Sequence, residues 1–328
     1  MSFFKKLSKL LETEVQSKPV VAAPAPVVEE EETVETPAKP GVVPMERNDK
    51  DDFKLLLSLY RTHKGDGDGS PNMVAMVKEV NPNADPHTCP YCGVVHEFKA
   101  ARARKCPACS NKMVVRQELF ITEDQAKELE GRMNSFYLKQ GALYRVGNLL
   151  EGAQQSKLDK EQARYLNELA EAFRYMAQVE NQKGAGGYDF WDKAWGYYNH
   201  SRSVEMRNQR KDMLQYSRLP DTMWDMTQML IDQADNTKTP SSAERTRRQA
   251  LHYACMTLAE AAKFGADPYF VTTLYGLVKK EGAKLNVSPD EFKGISSDVA
   301  TRMRLAGPAL KKYETWLREL SEFEVIAY

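Results

Sequence analysis

After residue 122, apolar side chains return every three or four positions, the spacing that gathers them on one face of a helix. Thr122 and Gln125 form a capping box opening a helix predicted over about residues 123–139, with Ala126, Leu129, Met133 and Phe136 inward. Asp159 caps a second, about 160–182, whose stripe is Leu166, Leu169, Ala170, Phe173 and Met176, and Lys183-Gly184-Ala185-Gly186-Gly187 ends it. A third runs from about Asp189 to about Tyr216 with Trp191, Ala194, Trp195 and Tyr198 on one side. Pro220 suits the first turn of the next, which carries Met223, Trp224, Thr227, Leu230, Ile231 and Ala234. Residues 243–264 present Ala250, Leu251, Ala254, Leu258 and Ala261 until Gly265. Asp267-Pro268, Ser288-Pro289 and Gly307-Pro308 mark three further helix starts.

Upstream the pattern changes. Residues 1–15 form an amphipathic helix with Phe3, Phe4, Leu7, Leu10 and Leu11 on one face and Lys5, Lys6 and Lys9 turned away. This suits docking to a protein partner; weak contact with a membrane surface and packing on its own domain are the alternatives. Residues 16–50 alternate Pro with Val and Ala and include the acidic block Glu29 to Glu32, so a disordered linker is expected. A helix is predicted at 51–62, where Phe53, Leu55, Leu56, Leu57, Leu59 and Tyr60 cluster. Asp66-Gly67-Asp68-Gly69-Ser70 resembles the start of a calcium loop. However, Pro71 takes the glycine position and Val77 the place of the bidentate carboxylate, so the stretch reads as a turn.

The strongest chemical signal lies at Cys89-Pro90-Tyr91-Cys92-Gly93 and Cys106-Pro107-Ala108-Cys109, two Cys-x-x-Cys turns with thirteen residues between them. Four thiolates at this spacing can close a tetrahedron around one structural Zn²⁺. Disulfides or a redox pair are the rival readings; a fifth cysteine and the absence of a secretory signal favour zinc and a cytoplasmic setting. Gly93 supplies a left-handed position after the first turn, and Asn111 is expected to do so after the second, in Ser110-Asn111. Val94, Val95 and Phe98 are predicted to form one strand and Met113, Val114 and Val115 another. Such a hairpin buries too little to fold unaided, whereas structural zinc contributes about 10–16 kcal/mol in small peptides. His87 and His96 lie close enough to replace a ligand but are expected beside the site.

Residues 89 to about 130, with Arg104-Lys105-Cys106-Pro107, Val114-Val115-Arg116 and Ile121-Thr122-Glu123-Asp124-Gln125, resemble a rubredoxin-type zinc ribbon found in bacterial and phage proteins. The resemblance implies that Cys89, Cys92, Cys106 and Cys109 are the metal ligands, and it implies a module rather than a function. The helical hairpins, with Ala194 four residues before Tyr198 and the closing Asp267-Pro268, resemble tetratricopeptide (TPR) repeats. Ala194 and Ala250 are 56 residues apart, not the 34 of that repeat, so one irregular bundle is the alternative. The expected fold is therefore mainly α: a small β zinc ribbon fused to a TPR-like antiparallel helical array. Its domains are 1–15, 16–50, 51–122 and 123–328. The aromatic group Tyr188, Phe190, Trp191, Trp195, Tyr197 and Tyr198 reads as core first and as a peptide groove second.

Charge is balanced, with 46 Lys+Arg against 46 Asp+Glu, so nucleic-acid binding would need a local patch. One exists: Lys99, Arg102, Arg104, Lys105, Lys112 and Arg116 face Glu97 alone within residues 89–116, and Arg245, Arg247 and Arg248 could extend it. No apolar run is long enough to span a bilayer. The five histidines sit in no recognisable catalytic context, and His252 and Cys255, one helical turn apart, read as a core cysteine beside a partly exposed histidine. The expectation is a non-enzymatic adaptor that binds protein through its helical body and residues 1–15, with nucleic-acid binding through the ribbon as the alternative.

Overall fold

The structure is a computed structural model that describes residues 48–65, 71–158, 161–180, 189–212 and 218–322. The proposed docking helix with Phe3, Phe4, Leu7, Leu10 and Leu11, the linker as far as residue 47, the 66–70 turn, Asp159, the 183–187 break and Tyr216 lie outside the described residues. Among the described residues are ten helices and one three-stranded sheet. They divide into two compact units, Lys50–Leu150 and a second containing Glu151–Tyr328.

In the first unit, helix α1 (Asp49–Gly65) precedes α2 (Met73–Val80). Asn72 caps α2 by accepting the Ala75 N–H at 3.0 Å. The sheet follows, with β1 (Arg104–Lys105), β2 (Lys112–Arg116) and β3 (Leu119–Ile121) antiparallel in that order. Its register pairs Arg104 with Met113 and Val115 with Phe120. The expected first strand at Val94–Phe98 does not form: Val95 makes one isolated bridge to Thr88 and is 71% exposed. Both edges of β2 are already taken by β1 and β3. Strand β3 was not expected, because the two-residue turn before it is Gln117-Glu118. Both residues adopt positive φ, 49° and 58°, a conformation that Asn and Gly normally announce.

Helix α3 (Glu123–Leu158) opens with the predicted capping box: Thr122 Oγ1 accepts from Gln125 N at 3.1 Å, and Gln125 Oε1 accepts from Thr122 N at 2.9 Å. It runs on for 36 residues rather than ending near 139, so the division between units falls inside it. Gly141 and Gly147 each cost a helix about 1 kcal/mol, yet without proline nothing stops it, and Leu143, Val146 and Leu150 bury their side chains. A Cβ at Gly147 would lie 2.7 Å from the Tyr60 hydroxyl of α1, so a larger residue there would have to displace that ring.

The second unit contains α4 (Gln162–Glu180), α5 (Phe190–Asp212), α6 (Leu219–Asp235), α7 (Pro240–Phe264), α8 (Pro268–Lys284), α9 (Pro289–Arg302) and α10 (Gly307–Glu322). Helix α4 packs on α5, α5 on α6, and α6 on α7, while α8, α9 and α10 all pack on α7. Helix α7 can accept four neighbours because Ala250, Ala254, Ala259, Ala261 and Ala262 are buried and small. Leu251, Leu258, Leu274, Phe292, Tyr313 and Leu317 fill the space around it. Asp267 and Ser288 cap α8 and α9 as their sequences predict. Most of the described aromatic group is core: Phe190, Trp191, Tyr197 and Tyr198 are buried, Phe173 stacks on both Phe190 and Tyr197, and Trp195 is half-buried against Tyr253.

A buried ion network joins α4 to α6. Arg174 Nε donates to Asp232 at 2.6 Å, Arg174 also pairs with Glu171, and Gln178 donates to the same Asp232 oxygen. Desolvation opposes the Arg174 charge, and Glu171 and Asp232 overcome it, so its pKa lies above the usual guanidinium range. Asp225, nearby on α6, lines a polar cavity with Asn167, Ser201 and Glu205. Desolvation, then the Glu171 charge, push its pKa from the ordinary 3.8 up to about 7. The folded state therefore binds this proton more tightly than the unfolded chain, and the stability it contributes is lost as pH rises from about 4 through 7.

Asp225→Asn should remove this loss and keep an acceptor for the Asn167 amide. The expected result is a melting temperature above wild type by a few degrees at pH 8, roughly 1–2 kcal/mol, and by less at pH 5. Calorimetry of both proteins across that range checks it; a gap that does not change with pH would assign the effect elsewhere.

Candidate metal centre

Each Cys-x-x-Cys segment must turn its two sulfurs to the same side, and both do so by the same backbone hydrogen bonds. In the first, Gly93 N donates to Cys89 O at 3.0 Å and Cys89 N to Val94 O at 2.9 Å. In the second, Ser110 N donates to Cys106 O at 2.8 Å and Cys106 N to Asn111 O at 2.9 Å. The residue after the last cysteine is left-handed in both, with φ of 72° at Gly93 and 62° at Ser110. Ser110 takes this position, not Asn111 as the sequence suggested, because the repeated pattern places it opposite Gly93. A non-glycine residue there costs about 1 kcal/mol or more.

The two turns bring the sulfurs of Cys89, Cys92, Cys106 and Cys109 within 4.8 Å of one another. Cys89 Sγ lies 3.8 Å from Cys109 Sγ, and Cys92 Sγ lies 3.8 Å from Cys106 Sγ. All four thiols are free. A regular tetrahedron with metal–sulfur bonds of about 2.3 Å has edges of about 3.8 Å, so this donor set could hold a metal ion such as zinc. Burial raises the pKa of Cys106, yet the N–H groups of Cys109 and Ala108 and the thiols of Cys89 and Cys109 hold it down to about 6. A bond from the Val94 N–H lowers the Cys92 pKa, but burial and the thiols of Cys89, Cys109 and Cys106 push it up to about 12, so without a cation the four sulfurs do not all ionise together.

Around the sulfurs, Phe98 is the packing hub. His96 stacks on it at 4.5 Å, Arg104 lies over its ring at 4.0 Å, and Phe120 meets it edge-on at 6.2 Å. His96 Nε2 sits 3.5 Å from Cys106 Sγ, beside the four-sulfur set as expected. His87 Nδ1 is 3.2 Å from the His96 carbonyl oxygen. Sequence reasoning missed Asp85, whose carboxylate accepts from His87 N, Thr88 N and Thr88 Oγ1 at 2.8, 3.0 and 2.9 Å. The His87 and Thr88 bonds lower its pKa and fix the chain entering the first turn. The Asp85-Pro86 dipeptide, a turn-initiating pair, carried that signal. Tyr91 has a defined task too, since its hydroxyl accepts the Glu123 N–H at 3.1 Å and ties the first turn to the start of α3.

The six cations divide. Arg104 is held on Phe98, Lys112 pairs with Glu123 at 2.8 Å, and Arg116 donates to the Val115 carbonyl. Lys99, Arg102 and Lys105 are exposed and pair with no carboxylate among the described residues. In the second unit, Arg247 pairs with Asp235 and Glu281, and Arg248 with Glu244 and Glu291. Cys255 is buried away from any such cluster, with burial pushing its thiol up to about 12, and His252 lies 4.0 Å from Asp298. No helix among the described residues is long and apolar enough to cross a membrane.

No family model, curated protein or solved structure matches this chain.

Two substitutions probe how the turns are built. Ser110→Gly should stabilise the first unit by about 1 kcal/mol by relieving the left-handed position. Tyr91→Phe should destabilise it by a similar amount by leaving the Glu123 N–H without its acceptor. Denaturant titration of the full chain, followed through the transition of the Lys50–Leu150 unit, checks both signs.

Proposed function

We propose that this chain is a non-enzymatic adaptor with a structural Zn²⁺ bound by Cys89, Cys92, Cys106 and Cys109. The observation that carries the metal reading is the pair of 3.8 Å sulfur separations, the edge length that tetrahedral zinc thiolate requires. Four cysteines complete the coordination sphere and leave no position for a reactive water, which favours a structural over a catalytic ion. The ion would neutralise thiolate charge and hold together a rubredoxin-type zinc ribbon whose buried cluster consists of Cys89, Ala100, Cys106, Met113 and Phe120. The helical body is read as a TPR-like array, with α4 paired to α5 and α6 to α7, that binds protein. Residues 1–15 are read as a second docking element for a protein partner, tethered through the linker.

The exposed Lys99, Arg102 and Lys105 support a second reading, in which the ribbon binds nucleic acid through phosphates. The other three cations of the patch are engaged within the unit, which makes this reading the weaker one.

Wild-type protein should carry one zinc per chain by native mass spectrometry, and Cys89→Ser or Cys106→Ser should lose it together with the transition of the first unit. A variant that retains its metal content and its transition would refute the four-ligand assignment. For the two functional readings, fluorescence anisotropy with short DNA and RNA across a salt series compares wild type with Arg102→Ala/Lys105→Ala. Salt-insensitive or absent binding favours the adaptor; tight binding whose salt slope shrinks in the variant favours nucleic acid. Deletion of residues 1–15 should leave both units folded and abolish capture of a protein partner, as read by co-purification from the native host.

A further inference from the structure

Helix α3 carries two faces. One buries Ala142, Leu143, Val146 and Leu150. On the opposite face, within the Lys50–Leu150 unit, Asn134, Gly141 and Asn148 are exposed at intervals of seven residues. Between them stand Tyr137, Leu138 and Tyr144, which are 53%, 75% and 71% exposed. Tyr137 and Tyr144 also stand seven residues apart, on the same side of the helix as Leu138, an arrangement through which one helix can pair with another. Gly141 points the same way. It costs the helix about 1 kcal/mol relative to alanine, and a Cβ there would meet nothing within 4 Å in the same chain. No described residue packs where a side chain at that position would lie, which leaves the point open to a second helix.

We infer that the occupant of this seam is a second copy of the chain, its α3 packed antiparallel against the first and crossing at Gly141. The seam is complementary to itself in that register. Leu138 faces the partner's Tyr144, so large residues alternate with smaller ones, and Asn134 faces the partner's Asn148, amide to amide. A parallel pair would instead set Tyr144 against the partner's Tyr144 and align the two helix dipoles unfavourably. Tyr137, Leu138 and Tyr144 expose on the order of 400 Å² of side chain per copy. With a polar rim, the pair buries roughly 1,000 Å², the low end of specific interfaces. The dimer is accordingly a weak, reversible one.

Sedimentation velocity of the full chain from about 1 to about 200 µM tests this. Wild type should pass from monomer to dimer across the series. Gly141→Leu, which the monomer accommodates, and Leu138→Lys should remain monomeric at every concentration with melting temperatures no lower than wild type. Asn134→Lys combined with Asn148→Glu should dimerise, because the antiparallel register sets opposite charges against each other; Asn134→Lys combined with Asn148→Lys should not. A monomeric wild type, or a dimer that survives Gly141→Leu and Leu138→Lys, would overturn the proposal. So would a full chain that stays monomeric while a variant lacking residues 1–47 dimerises, which would assign the seam to the chain's own N-terminal segment.

Discussion

Four sulfurs held within 4.8 Å of one another are an unfavourable arrangement unless something compensates them. As thiols they bury polarisable groups that make only weak hydrogen bonds, and as thiolates they repel; a cation at their centre turns that repulsion into bonding. The first unit is built around this constraint. The buried cluster beneath the sulfurs is small, and the strands are only two, five and three residues long. Burial on that scale does not hold a sheet against chain entropy. Asp85, the left-handed Gly93 and Ser110, the Phe98 stack and the Tyr91 bond to α3 all serve to aim the four side chains at one point.

The helical unit follows another logic. Its central helix, α7, buries several alanines, which lets four neighbours approach closely, and larger side chains from α7 itself and from those neighbours fill the space between. Among the described residues, its most deeply buried charges stand in pairs. Arg174 is matched by Glu171 and Asp232, and Glu281, almost fully buried, by Arg247 and Lys284. Such pairs contribute little net stability compared with apolar packing, but breaking one partner away is costly, so they hold neighbouring helices in one register. Asp225 is drawn toward its neutral form by burial, as Glu168, Glu205 and Glu260 also are.

These two designs meet in α3, which begins at the four-cysteine module and continues past Leu150. Its length leaves an exposed apolar face on the segment after the capping box.

Features set by near neighbours in the chain were legible from the sequence. The two Cys-x-x-Cys turns, the Thr122/Gln125 capping box, the caps at Asp267 and Ser288, and the inward stripes of α4 to α7 each depend on residues a few positions apart, so composition and spacing suffice to read them. What depended on distant partners was not legible. Val94 and Val95 have strand-forming side chains yet stay exposed, because β1 and β3 occupy both edges of β2. Gln117-Glu118 turns the chain without the residues that announce such a turn, and Ser110 accepts the strain expected of Asn111. Half of the apparent basic patch is engaged by Phe98, Glu123 and a backbone carbonyl, and Arg247 and Arg248 of α7 are bound by carboxylates from other helices. The sequence by itself determined the thiol cluster and the helical class, because both rest on local spacing. Which strands pair, which charges remain exposed and which face of α3 no described residue covers were decided by tertiary structure, because each depends on which distant residues pack on a shared surface.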